Sequence, residues 1–82
     1  MNTILYFTAT WCGPCRSLAP RMEKLKGQIK YRKIDIDQNR EMSMKYGVRS
    51  VPSLVLVNQN GEELRRLVGV KPDDQIINFY NG

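Results

Sequence analysis

Histidine is absent from this 82-residue chain, so no imidazole can act as general base, proton shuttle or metal ligand. Cysteine is almost absent: there are two. A closed zinc site needs about four nitrogen or sulfur ligands, and two cysteines supply half of one. Only a metal shared between two copies would complete the set, so no metal and no cofactor is expected. No stretch approaches the roughly 20 consecutive apolar residues of a membrane span. Repeats, linkers and low-complexity tracts are also missing, which leaves a single domain over 1–82. The apolar share of 41 %, with four Tyr, two Phe and one Trp, is that of a globular chain. Residues Met1 to Phe7 carry no basic leader ahead of their apolar run, so the expectation is an intact cytoplasmic protein without a signal peptide or membrane contact.

Acidic residues are the scarcer charge. Thirteen Lys and Arg against eight Asp and Glu give a net charge of +5. The cations are scattered and never exceed a pair, as at Arg32-Lys33 and Arg65-Arg66. A solvated basic surface that steers acidic partners fits this spread better than a specific nucleic-acid site.

Thr3 to Thr8 is a short apolar run with the composition of a buried strand. Beyond Cys12 the period changes. Leu18, Met22 and Leu25 recur at helical spacing, predicting a helix that ends near Gly27 and is kinked at Pro20. Ile29 to Ile36 reads as a second strand. Asp37-Gln38-Asn39 offers caps for a short helix through Tyr46, stopped at Gly47. Ser53 to Val57 is a third strand. The turn Asn58-Gln59-Asn60-Gly61 returns the chain as an antiparallel partner over Glu62 to Val68. A last helix starts around Pro72, with Asp73 and Asp74 in its first turn and Ile76, Ile77 and Tyr80 on one side. Right-handed crossover makes the first two strands parallel, and the hairpin completes a mixed sheet with helices on both faces.

The cysteines lie in Thr10-Trp11-Cys12-Gly13-Pro14-Cys15, where the first strand hands over to the first helix. Their spacing sets Cys12 at the exposed helix N-terminus and Cys15 nearly one turn on, facing inward. Unpaired amide N–H groups and the positive helix end favour a thiolate at Cys12. Lowering a thiol from about 8.5 to about 7 is worth roughly 2 kcal/mol. Such a pair performs thiol–disulfide exchange: Cys12 attacks a substrate disulfide, and Cys15 then displaces the reduced substrate from Cys12. Pro14 suits a helix start, where its missing N–H is not needed, and Gly13 permits close approach of a partner chain. Trp11 is placed as an apolar lip beside Cys12. Two inert buried cysteines are the plain alternative, though packing alone does not explain a Gly-Pro insert at this junction. A permanent structural disulfide would close only a very small loop.

These residues resemble the thioredoxin family over almost the whole chain from Ile4. Trp11-Cys12-Gly13-Pro14-Cys15 is that family's active-site motif, and Pro20 matches its kinking proline. Lys33 to Asn39 is similar to its central strand and turn, and Ser50-Val51-Pro52-Ser53 to its cis-proline loop. Asn60-Gly61-Glu62 resembles its hairpin, and Gly69 the glycine before its last helix. The family's first strand and helix are absent. The resemblance therefore implies an α/β thioredoxin-like fold with a four-stranded mixed sheet, lacking the extra N-terminal strand and helix. In size the chain is similar to glutaredoxins and to the small archaeal and phage members.

From its own context, Pro52 reads as a strand-start proline, and X-Pro bonds in folded proteins are cis in only about 5–6 % of cases. The resemblance implies a cis bond instead, with Val51 beside Cys12 as a strand-pairing site for substrate and with Gly69 and Val70 on the groove's rim. One departure concerns Tyr6, which stands where the family carries a buried aspartate behind the cysteines. With a reference pKa near 10, Tyr6 is no base at neutral pH; it donates a hydrogen bond or simply packs. Lys33 is then the nearby charged candidate, against the alternative of a strand lysine extended into solvent. The implied activity is reduction of protein disulfides. The implied partners are thioredoxin reductase or an equivalent electron donor, and disulfide-bearing clients such as ribonucleotide reductase. A glutathione-linked glutaredoxin is the second reading, and a protein-binding subunit that uses the Cys12 face is the third.

Overall fold

A computed structural model describes all residues, 1–82. The elements are β1 (Thr3–Thr8), α1 (Gly13–Lys24), β2 (Tyr31–Asp35), α2 (Arg40–Lys45), β3 (Ser53–Val57), β4 (Glu63–Val68) and α3 (Asp73–Asn81), with a 3-10 turn at Leu25–Gly27 after α1. The sheet runs β2-β1-β3-β4. β1 pairs with β2 in parallel and with β3 antiparallel, and β3 with β4 antiparallel. The expected mixed four-stranded sheet is the sheet that forms.

Two central strands have neighbours on both edges and helices on both faces, so they read as unbroken apolar runs rather than alternating ones. Within β1, Ile4 and Tyr6 point to one face and Leu5 and Phe7 to the other. The first face is closed by Leu18 and Met22 of α1 and by Ile76 and Phe79 of α3. On the second, Met42 and Tyr46 of the α2 segment cover Phe7 and Ile34. β1 is thus packed from above, below and both sides, and it ends where the cysteine pair begins.

Local chemistry sets the ends. Asn39 caps α2, its side chain accepting from Met42 N–H at 3.2 Å. Gly47, at φ 61°, adopts the left-handed backbone that stops the helix. The hairpin is closed by Asn58, whose side-chain oxygen accepts from Asn60 and Glu62 N–H.

Several expectations are corrected. β2 is shorter than Ile29 to Ile36, because Ile29 turns into the α1-side core while Ile36 keeps only a hydrogen bond to Thr8 C=O. α1, with Pro20 inside it, ends at Lys24, and the residues up to Gly27 form a tighter 3-10 turn. β4 starts at Glu63 rather than Glu62, which is held in the turn by Asn58. In α3, Pro72 is the N-cap and Asp73 the first helical residue. The buried face of α3 is built on Ile76 and Phe79, with Ile77 and Tyr80 only half-buried at its flanks.

Leu56, fully buried in β3, tests this packing. Leu56→Ala should lower unfolding stability by about 2–5 kcal/mol through lost burial and a residual cavity. Urea titration should show a lower midpoint with an unchanged slope.

Candidate active site

β1 delivers the chain to the top of the sheet and α1 starts at once. Cys12 is the N-cap of α1, in extended backbone conformation, with Gly13 and Pro14 in the first turn. An N-cap side chain ordinarily accepts from a backbone N–H of the first turn. Here sulfur takes that place: Cys15 N–H points at Cys12 Sγ at 3.2 Å. Cys12 and Cys15 are bonded as a disulfide with Cα atoms 5.2 Å apart. In the reduced protein the same N–H and the helix end stabilise negative charge on Cys12.

Cys12 is less open than its position at the helix start suggests. It is 5 % exposed and Cys15 1 %, so an exposed Cys12 is corrected to one with a narrow opening. Ala9, Ile36 and Val51 pack around the pair and restrict the approach. The Val51–Pro52 bond is cis, as the resemblance implies, and Val51 C=O lies 3.6 Å from Cys12 Sγ. Gly69, at φ 92°, donates its N–H to Pro52 C=O at 2.9 Å, bringing its loop beside the proline. Val70 is 39 % exposed and Trp11 63 % exposed. A Cβ at Gly13 would meet no atom within 4 Å, so that side of the first turn is open.

Behind the pair, the Tyr6 hydroxyl donates to Cys15 C=O at 3.1 Å. Of the two roles considered for Tyr6, hydrogen bonding is present along with packing: its ring meets that of Tyr31 edge-on, centroids 6.3 Å apart. Burial pushes the Tyr6 hydroxyl above its usual range, against a smaller opposing effect from Thr8. Tyr31 is pushed up to about 12, by burial first and then by the Glu23 carboxylate it hydrogen-bonds. Lys33 sits opposite Tyr6 in the β1–β2 register, is exposed, and makes no hydrogen bond to either cysteine. It lines a cavity of about 300 Å³ with Thr8, Arg16 and Asp35 at the flank of α1.

Three supports have no counterpart in the reading of the sequence. Trp11 is anchored by its indole N–H, which donates to Asp37 Oδ2 at 2.8 Å. Arg16 folds back to donate twice to Thr10 C=O. Arg21 of α1 binds Asp73 at 2.8 Å and also the Lys71 carbonyl. From sequence Asp37 reads only as a cap; an acid following a strand that runs beside the cysteines is the available signal. The arginines carry none, since their partners lie on other elements.

Tyr6→Phe should lower stability by about 1 kcal/mol through the hydrogen bond lost at Cys15 C=O. The sign of the alkaline effect follows from the raised tyrosines: the unfolded chain ionises near pH 10, before the folded one does. The stability held by the neutral hydroxyls is complete below about pH 10 and lost as pH rises toward 12. Urea midpoints followed from neutral to alkaline pH should fall in that window, less steeply in Tyr6→Phe. An unaltered profile would remove Tyr6 as a contributor.

The Thioredoxin family model matches residues 1–81. Among curated proteins, thioredoxin of Haemophilus influenzae is 39 % identical over 82 residues, covering 95 % of this chain and 76 % of the relative. Thioredoxin of Streptomyces clavuligerus is 49 % identical over 74 residues, covering 87 % and 68 %. Among solved structures, a mutant thioredoxin from Halobacterium salinarum superposes with a TM-score of 0.89 at 38 % identity, covering 98 % of this chain and 72 % of the other. A helix-capping disulfide beside a cis-proline loop and a match across nearly the full length lead to one conclusion: the chain belongs to the thioredoxin family and is a thiol–disulfide oxidoreductase working through Cys12 and Cys15.

Proposed function

We propose that the protein is a small thioredoxin of the archaeal or phage type, a cytoplasmic carrier that takes two electrons from a thioredoxin reductase or equivalent dithiol donor. It passes them to protein disulfides, with ribonucleotide reductase as a representative client. The observation that carries this reading is the capping of α1 by Cys12 Sγ, 3.2 Å from Cys15 N–H. The donor first converts the Cys12–Cys15 disulfide to two thiols. Cys12 thiolate then attacks one sulfur of a client disulfide; that S–S bond breaks, and the second client sulfur leaves as thiolate. Cys15 loses its proton and attacks Cys12 Sγ, expelling the first client sulfur and restoring the protein disulfide. One disulfide is exchanged for another, and the client ends with two thiols.

Recognition in this reading is largely a backbone matter. An extended client segment lies against Val51 and Pro52, with Gly69 and Val70 on one rim and Trp11 on the other. A groove that reads main chain tolerates many side chains, which suits a general reductant. Gly13 leaves the front of the helix turn clear, and Pro14 holds its start. Tyr6 positions Cys15 rather than accepting its proton, and Lys33 at the cavity mouth supplies charge without touching sulfur. The scattered cations support a basic surface without a specific nucleic-acid site. No helix is long and apolar enough to cross a membrane.

Dithiothreitol-driven reduction of insulin disulfides tests the assignment of roles. Cys12→Ser should abolish turnover, whereas Cys15→Ser should accumulate mixed disulfides from which clients can be recovered. Undiminished turnover by both variants would defeat the mechanism. A comparison of electron donors separates the readings: NADPH with thioredoxin reductase should reduce the protein efficiently, and reduction by glutathione alone would assign it to the glutaredoxins. If Cys12→Ser retained all biological function, the protein-binding subunit would be the right description.

A further inference from the structure

The sheet has an open edge along β2, beside a basic groove at the end of β1 opposite to the dithiol. β2 pairs only with β1. Ile4 N–H donates to Lys30 C=O, and Ile36 N–H to Thr8 C=O. Even-numbered residues of this segment therefore turn their backbone groups toward β1, and odd-numbered residues turn theirs away. Tyr31 and Lys33 direct both N–H and C=O outward. Asp35 directs its N–H outward, while its C=O is occupied by Gln38 and Asn39 N–H. The edge thus presents alternating donors and acceptors, the pattern that a polypeptide backbone satisfies and a small anion does not.

On the face covered by α2, a groove of about 660 Å³ opens next to this edge. Leu5, Met42 and Val57 contribute apolar surface, and Lys30, Arg32 and Lys45 contribute charge. No Asp or Glu lines it, and none of the three cations takes part in an ion pair. Lys45 Nζ is instead held 5.5 Å above the Tyr46 ring, a neighbour that does not neutralise it. Thr3, at the start of β1, lies in the groove wall, whereas Cys12 follows the far end of that strand. The groove is therefore separated from the dithiol by the length of β1, about 15–20 Å, while the β2 edge runs alongside β1 to Asp35, one residue before Ile36, which packs on the cysteines.

We propose that the β2 edge and this groove form a second docking surface, which takes an extended acidic segment of a partner protein. The segment adds a strand along Tyr31 to Asp35; its carboxylates enter the groove on the α2 side and meet Arg32, Lys30 and Lys45, while the alternate apolar residues lie on the opposite face of the sheet beside Tyr31. A second copy of the chain fits poorly, because edge-to-edge pairing would set the Arg32-Lys33 pair of each strand near its counterpart. An acidic occupant reverses that repulsion. Docking here leaves Cys12 free, so the partner is held while the dithiol reacts.

A fluorescein-labelled dodecapeptide of alternating Glu and Val serves as probe, with a Lys–Val peptide as control. Fluorescence anisotropy on the full chain should show binding of the acidic peptide alone, weakened by added salt. Amide exchange should slow at Tyr31 and Lys33 when that peptide binds. The Arg32→Glu/Lys45→Glu double variant should bind roughly tenfold more weakly, with insulin reduction unchanged. Cys12→Ser should bind as the parent does, which separates this surface from the catalytic one. Equal affinity for both peptides, or binding without protection of Tyr31 and Lys33, would overturn the proposal. So would edge protection that rises with protein concentration in the absence of peptide, which would assign the edge to a second copy. The exchange measurement uses the unaltered chain and decides the matter even if the double variant fails to fold.

Discussion

One contact organises the reactive end of this molecule: a backbone N–H of the first turn of α1 directed at the sulfur that caps it. Hydroxyls and carboxylates usually fill that position, and putting sulfur there gives a structural device a chemical use. The contact depends on where β1 ends. A strand paired on both edges and covered on both faces has no freedom to shift, so residue 12 is delivered to a fixed point above the sheet. Tyr6, within the same strand, reaches up to the carbonyl of Cys15 and fastens the turn from beneath. Anchoring the site to a strand enclosed on every side holds the two sulfurs in one geometry.

Much of this is legible in the residues. Apolar runs mark β1 and β3, the Asn-Gly turn marks the hairpin, and the change of period after Cys12 places the redox pair at a strand–helix junction. β2 is harder, because Arg32 and Lys33 occupy an edge where only Ile34 is fully inside, and alternation there is weak. The phase of α3 differs by one residue from its sequence reading because Phe79 and Tyr80 are equally plausible inward anchors until the sheet they pack against is known. Side-chain to backbone ties, such as Arg21 to the Lys71 carbonyl, join residues distant in sequence and leave no periodic trace.

The absence of histidine and of a carboxylate behind Cys15 constrains how protons move. Tyr6 is neutral across the physiological range, as a tyrosine with its ordinary pKa near 10 would be, and burial pushes its ionisation further from that range. Its contribution is to hold a carbonyl in place. The site works by arrangement more than by titration: an N–H pointed at one sulfur, a hydroxyl fixing the other residue, and apolar neighbours packed around the pair.

Arg21 has a mechanical consequence. Its guanidinium clasps the helix that carries the cysteines to the loop just beyond Val70 and to the first residue of α3. In the proposed reading, where an extended client segment lies between the start of α1 and the 69–71 loop, this clasp ties the two walls of the groove together at their base. An ion pair this exposed is worth about 0–1 kcal/mol, so it biases the groove toward one width without locking it, a bias that favours disulfides carried on extended segments.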